Sequence, residues 1–290
     1  MMTISRFITD PTIALEVVLQ EGGSKQAATR LAQHLGLPLV ASNSETSSHS
    51  ESNQESLCSN TPESGRNHDP EALQLRFSEK GLALGKGKME LLFDFDDMLK
   101  RIKPGKLQSE LLVRAAKIKR HTSAEQPLIA IDTTAGLGQD SFLLAAAGFT
   151  VTLYERDPII AALLGDALER AHAHDDLAEI VARMTLVEGD SITNLTDHAQ
   201  SQSDKRPDVV YLDPMFPKRN KSAAVKKKFQ LLHYLEKPCQ DAKALLEAAM
   251  KVNPHKIVIK RPLKGPLLAN TKPSYSLKGK TIRYDCIVLP

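Results

Sequence analysis

From about residue 105 onward, short aliphatic runs alternate with amphipathic stretches, and that alternation leaves few folds open to this chain. Leu128–Asp132 (LIAID), Thr150–Glu155 (TVTLYE), Met184–Val187, Asp208–Leu212 (DVVYL) and Lys256–Lys260 read as buried strands, with Arg283–Leu289 as a last one. Leu107–Ile118, Gln139–Ala147 (closed by Gly148) and Gln240–Val252 read as helices. Another helix starts at Asp157, placed to cap its N-terminus, with Pro158 in the first position, where proline is favoured. Ile160, Leu163, Leu164, Ala167, Leu168 and Ala171 recur on the inner face of that helix. Apolar strands alternating with helices require a mostly parallel sheet covered on both sides. Ligands of such sheets bind beyond the carboxyl ends of the strands, at the point where the strand order reverses.

The first third of the chain has a different character. Gln26–Leu35 has helical spacing and ends at Gly36, while Leu73–Phe77 and Met89–Phe95 read as strands with the glycine-rich GLALGKGK as a turn between them. Residues 42–69 are rich in Ser, Asn and Glu and poor in large apolar side chains, so they read as a flexible loop that cannot offset its ordering entropy by burial. The expected organisation is a small N-terminal α/β domain over residues 1–98, followed by the parallel-sheet domain over 99–290.

The chain's mild net charge of +3 says less than its distribution. Residues 99–121 carry Lys100, Arg101, Lys103, Lys106, Arg114, Lys117, Lys119 and Arg120 against Glu110 alone. Residues 217–228 carry Lys218, Arg219, Lys221, Lys226, Lys227 and Lys228 with no acid. Such blocks suit a phosphate backbone, and a solvated lysine-rich surface is the alternative. Cys58, Cys239 and Cys286 form no CxxC pair, which disfavours both a disulfide framework and a zinc site; no metal is expected. No apolar run is long enough to span a bilayer, and the N-terminus lacks a signal-peptide layout, so the expected location is cytoplasmic.

The first strand of the parallel sheet runs into Asp132-Thr133-Thr134-Ala135-Gly136-Leu137-Gly138-Gln139-Asp140. Gly136 and Gly138 allow a tight turn and close approach of a ligand to a helix N-terminus. Glu155 follows nineteen residues after Gly136, at the end of the second strand, where a carboxylate accepts both ribose hydroxyls of an adenosine. A dinucleotide-binding turn wants a small apolar third position, and Ser141 stands there. Asp140 would repel a pyrophosphate but suits the amino group and sulfonium of S-adenosylmethionine, so this cofactor is favoured over NAD. Asp190 and Ser191, after the third strand, are placed for the adenine amine, although Asp190 also reads as a simple cap.

The fourth strand runs into Asp213-Pro214-Met215-Phe216-Pro217. A polar acceptor, a proline and an aromatic at this point suit methylation of an exocyclic amine on a base. The amine's lone pair is delocalised into the ring. Acceptors at the Asp213 carboxylate and the Pro214 carbonyl hold its N–H groups and turn the lone pair toward the methyl donor, while Phe216 stacks on the unstacked base. The competing explanation is an ordinary Asp-Pro turn with Phe216 in the core. Three signals converging on the carboxyl ends of one sheet disfavour it.

DTTAGLGQDSFLLAAAGFTV, LYERDP and VVYLDPMFPKRNKSAAVKKK closely resemble the ribosomal RNA small subunit methyltransferase J family, from about Leu73 to the C-terminus. Methionine after Asp-Pro is typical of that family. The resemblance implies a Rossmann-like class I S-adenosylmethionine-dependent methyltransferase fold and, as substrate, the N2 amine of a guanosine in 16S rRNA of the small ribosomal subunit. It also implies cofactor contacts at Gln139, Asp140, Glu155, Arg156, Asp190, Ser191 and Asp213, beside Asp132, Gly136 and Gly138 of the turn. Gln139 departs from the arginine expected there, and residues 42–69 look like an insertion. The alternatives are an adenine-N6 or protein-glutamine methyltransferase, an NAD-dependent oxidoreductase, and a non-catalytic RNA-binding protein of the same fold.

Overall fold

The structure, a computed structural model, describes residues 14–41, 72–118, 127–200, 206–214, 227–235 and 241–290. The Ser-rich stretch 42–69, with Phe216, Lys218, Arg219, Lys221 and Lys226, lies outside the described residues, as do the side chains of Lys227 and Lys228.

Two sheets organise the chain. The first contains β1 (Leu15–Leu19), β2 (Leu39–Ala41), β3 (Leu73–Ser78), β4 (Gly81–Lys86) and β5 (Met89–Leu92), in the order β2-β1-β3-β4-β5. β1 runs parallel to both of its neighbours, and α1 (Lys25–Leu35) makes the crossover to β2. Ser24 caps α1 by accepting from the Ala27 N–H, and Gly36 ends it at φ 63°. GLALGKGK is not a turn: residues 81–86 form the full strand β4, paired to β3 and β5. The turns fall on either side of it, with Gly81 and Gly87 at φ 115° and 54°. Inside the strand Gly85 is small for a packing reason, because the Arg76 guanidinium lies across it, 2.5 Å from where a Cβ would stand.

α2 (Asp96–Ile102) and α3 (Leu111–Ala116) lead into the second sheet. The expected helix over 107–118 is interrupted at Glu110, whose ψ of 129° separates a 3-10 turn (Leu107–Ser109) from α3. Next come β6 (Leu128–Asp132), α4 (Gln139–Ala146), β7 (Phe149–Glu155), α5 (Pro158–His172), α6 (Asp175–Val181), β8 (Met184–Glu188), α7 (Ser191–Gln200) and β9 (Val209–Leu212). α8 (Ala242–Lys251), β10 (Lys256–Pro262), β11 (Tyr275–Lys278) and β12 (Ile282–Val288) complete it. The order is β11-β12-β10-β9-β6-β7-β8, with β6 to β10 mutually parallel and β12 antiparallel to both neighbours.

α5 explains how the sheets share one body. Its Leu164, Ala167, Leu168 and Ala171 pack into the core under the second sheet. Its Ile159, Ile160 and Leu163 join the core of the first, together with Leu231, Leu232 and Leu235. The helix is therefore apolar on two faces, each buried leucine or isoleucine contributing roughly 1.5–3 kcal/mol before entropy is counted. His34, at the end of α1, adds a side-chain hydrogen bond between its Nε2 and the Glu188 carboxylate at the end of β8, 3.0 Å away. Among the described residues no helix is long and apolar enough to cross a membrane.

Candidate active site

The order of the second sheet reverses between β6 and β9: the chain leaves β6 for β7 on one side and returns to β9 on the other. A crevice opens above such a reversal. The carboxyl ends of β6, β7, β8, β9 and β10 deliver the Asp132–Asp140 turn, Glu155, Glu188–Asp190, Asp213 and Lys260 to it.

Asp132 is buried, and both its oxygens are committed to shaping the turn. Oδ1 accepts from the Thr134 N–H at 2.9 Å and Oδ2 from the Ser141 hydroxyl at 2.5 Å. Desolvation pushes this carboxyl up to about 7 despite those hydrogen bonds. Gly136 and Gly138 hold φ values of 54° and 72°. A Cβ on Gly136 would meet open space, so the backbone there borders the crevice, whereas one on Gly138 would strike Leu164 Cδ1 at 2.8 Å. The first glycine thus leaves room for a ligand, and the second lets α4 seat against α5.

Glu155 is 8% exposed, and its carboxylate accepts from the Gly136 N–H at 2.8 Å and the Asp157 N–H at 2.9 Å. Burial pushes it up to about 7, partly offset by those two bonds. Arg156 points away to the surface, 3.9 Å from Asp241. Asp190 does cap α7: Oδ1 accepts from the Thr193 N–H at 3.0 Å, and the side chain is exposed. Ser191 opens that helix, half-buried.

At the other wall stands Asp213, followed by the buried Pro214. Its backbone N–H donates to Thr134 Oγ1 at 2.8 Å, so the cofactor-side turn and the Asp-Pro segment are joined directly. The two-residue period of a strand puts Tyr211 and Asp213 on one face of β9, and Val258 and Lys260 on the same face of β10. Asp140, in the first turn of α4, covers that face. Its Oδ2 accepts from the Tyr211 hydroxyl at 2.6 Å and from Lys260 Nζ at 2.7 Å. Lys260 also reaches Asp213 Oδ2 at 2.9 Å. Desolvation pushes the Asp213 carboxyl up, with Lys260 pulling it back. Burial works against the Lys260 ammonium, but Asp140 and Asp213 outweigh it and hold the charge well above the usual lysine range. Tyr211 is raised far above its ordinary value by burial beside these acids.

Thr134, Tyr211 and Lys260 are the residues that motif reading passed over. Lys260 carried a signal, a charge closing the apolar run IVI at the carboxyl end of a strand, with Arg261 after it. Tyr211 and Thr134 carried none, because only pairing register brings them to Asp140 and Asp213.

The donor set fits S-adenosylmethionine and not a pyrophosphate. Asp140, Glu155 and Asp190 are all acceptors, suited to ammonium, sulfonium, hydroxyl and exocyclic amine, and the open face of Gly136 gives the cofactor a place to lie. Comparison with known proteins agrees. A family model described as "Putative SAM-dependent methyltransferase" matches residues 63–289. A ribosomal RNA small subunit methyltransferase J from Pseudomonas aeruginosa is 39% identical over 277 residues, 93% of this chain and 93% of its own. The protein of the same name from Thioalkalivibrio sulfidiphilus is 48% identical over 182 residues, 63% of this chain and 69% of its own. A crystal structure of a SAM-dependent methyltransferase from Neisseria gonorrhoeae superposes with a TM-score of 0.64 at 27% identity, covering 94% of this chain and 96% of that one. The second sheet is accordingly a Rossmann-like class I methyltransferase fold with S-adenosylmethionine as its cofactor, and the chain belongs to the ribosomal RNA small subunit methyltransferase J family.

Proposed function

We propose that this enzyme transfers a methyl group to the exocyclic N2 amine of a guanosine in 16S rRNA of the small ribosomal subunit. The observation that carries the reading is the joined wall of the crevice. Asp213 is tied by its backbone to Thr134 of the cofactor turn and by its carboxylate, through Lys260, to Asp140. Donor and acceptor of the methyl group then meet across a short, braced distance. The small-subunit rRNA substrate comes from the names of the relatives, and the guanine amine from the family resemblance of the Asp-Pro-Met-Phe segment.

Bound S-adenosylmethionine supplies an electrophilic methyl on a sulfonium. In this reading Glu155 accepts the ribose hydroxyls, Asp140 the cofactor's amino group, and Asp190 with Ser191 the adenine edge. Asp132 acts through the turn, Gly136 and Gly138 give the approach, and Gln139 and Arg156 flank it. Asp213 Oδ1 and the Pro214 carbonyl accept the target amine's two N–H groups, aiming its lone pair at the methyl carbon. With the bound cofactor supplying the methyl group, Asp213 Oδ1 would receive the proton that the methylated nitrogen sheds. Phe216 stacks on the extruded base, and Lys218, Arg219, Lys221, Lys226, Lys227 and Lys228 hold flanking phosphates. The N-terminal unit through residue 98 braces α5 beneath the site.

The test is methyl transfer from labelled S-adenosylmethionine to small subunits prepared without this enzyme, followed by nucleoside analysis. Label in N2-methylguanosine, abolished in Asp213→Ala with the fold and most cofactor binding intact, is the expected result. Label in N6-methyladenosine would move the reading to an adenine enzyme; wild-type turnover by Asp213→Ala would overturn the assignment of Asp213.

A further inference from the structure

Lys260 sits where a positive charge is hard to explain by the fold alone. Its side chain is 26% exposed, enclosed by the walls of the crevice, and its Nζ lies 2.7 Å from Asp140 and 2.9 Å from Asp213. Burying an ammonium costs several kcal/mol unless it is paired, so the position is tenable only because both carboxylates meet it. The strand end that carries it is braced. Arg283 donates to the carbonyls of Pro262, Leu263 and Gly265, and Arg261 donates to that of Pro266. The ammonium engages Oδ2 of Asp213, and on the proposed function Oδ1 is the oxygen that takes the target amine.

We propose that Lys260 is a positioning residue for methyl transfer, fixing both the orientation and the negative charge of the Asp213 carboxylate so that one oxygen accepts the target amine. The proposal rests on Asp213 acting as that acceptor. Consider what surrounds Asp213. Lys260 and Arg261 of β10 are the cations that favour its charge, and Asp140 of α4 opposes it. Asp132 of β6 also feels Asp213, as do the hydroxyls of Tyr211 on β9 and Tyr284 on β12. Arg101 of α2 faces Asp140 and Tyr284. With Lys260 removed, a half-buried carboxyl facing further acids takes up a proton more readily. A protonated Asp213 offers an O–H where the amine needs an acceptor, and its carboxyl is free to rotate.

The experiment is the pH profile of single-turnover methyl transfer to small subunits by the wild type, Lys260→Met and Lys260→Arg, with Asp213→Ala alongside. Lys260→Met is expected to be slower by roughly tenfold or more near neutral pH, with its acid limb moved up by about one pH unit or more and the rate largely recovered in base. Lys260→Arg, which keeps the charge, should leave the limb where the wild type has it. If the methionine variant fails to fold, Lys260→Gln, which retains hydrogen bonding without charge, serves in its place. A profile for the neutral variant parallel to the wild type, while Asp213→Ala is inactive, would overturn the role of Lys260 and leave that of Asp213 standing. Wild-type turnover by Asp213→Ala would overturn both.

Discussion

Glu155 enters the proposed cofactor site as an anion in a place that makes the anion costly. Burial lifts its carboxyl to about 7, while the N–H groups of Asp157 and Gly136 pull it back. Two ribose hydroxyls need both carboxyl oxygens as acceptors, and a protonated carboxyl turns one of them into a donor, so binding S-adenosylmethionine favours deprotonated Glu155. The sign follows. Below pH 7 the free protein holds the proton and binding must expel it, so affinity falls as pH falls; above pH 7 the proton is already gone and affinity levels off. The apparent Kd scales as the inverse of the competent fraction, which drops from about 0.9 at pH 8 to about 0.1 at pH 6. The Kd should therefore rise roughly tenfold over that interval, equivalent to about 1.4 kcal/mol. Calorimetric titration at pH 6, 7 and 8, in buffers of different ionisation enthalpy, reads both the Kd and the protons released. Glu155→Gln should bind weakly throughout, with the slope gone. A Kd that is flat from pH 6 to 8 in the wild type, or a slope that survives in Glu155→Gln, would refute the reasoning.

The two glycines of the turn should separate fold from ligand. Gly138→Ala, strained at φ 72° and driven into Leu164, should lower stability by on the order of 1–3 kcal/mol in thermal or denaturant unfolding. Gly136→Ala meets open space and carries only the backbone strain of φ 54°, so it should cost about 1 kcal/mol, less than Gly138→Ala, and weaken cofactor binding measured by calorimetry. Asp132 titrates near 7 when folded against an ordinary 3.8, so it costs nothing below about pH 4 and progressively more up to pH 7. Asp132→Asn should accordingly flatten the decline of the ligand-free melting temperature between pH 5 and 8; an unchanged decline would assign it to other groups. Reversing charge at Lys226, Lys227 and Lys228 should weaken RNA binding and reduce its log–log salt slope by roughly 2–3, and an unaltered slope would make the run a solvated surface only.

What the sequence disclosed and what it withheld divide along physical lines. The parallel strands β6 to β10 were legible because each is an apolar run bounded by glycine, proline or a polar residue, and the period of such runs needs no partner to be recognised. Glu155 and the glycine turn were legible because their spacing is fixed by one strand-helix-strand unit. β1 and β2 were not: LEVVL and LVA are short, and they become strands only by pairing across a long separation with β3 and with each other. α6 and α7 were missed where polar residues interrupt the periodicity, as in SITNLTDHAQ, which is half-buried along a single stripe. GLALGKGK misled because glycine in a strand and glycine in a turn look alike until the Arg76 side chain that demands Gly85 is seen lying over it. At the site, Tyr211 is a buried aromatic within the run DVVYL, and its hydroxyl gains a role only because register puts Asp140 above it.

The charge pattern of the crevice also constrains how an RNA can use it. Asp132, Asp140, Glu155, Asp190 and Asp213 converge on the carboxyl edge of the sheet, with Lys260 set between two of them. That interior favours a cation such as the sulfonium cofactor and repels phosphate. Exposed Lys100, Lys103 and Lys106 lie instead on α2 and the segment after it, next to Arg101, whose charge is held up mainly by Glu110 and in part by Asp140. An RNA strand therefore has no electrostatic reason to enter the crevice along its backbone. On the proposed function, the phosphates stay on the cationic rim and only an uncharged base crosses into the acidic interior, where its amine finds acceptors. Such a division requires the base to leave its stack, at a cost of a few kcal/mol that is least when it is unpaired. The same nucleotide locked in a duplex should then be methylated more slowly than in a loop, through the cost of extrusion and not through any change at Asp213.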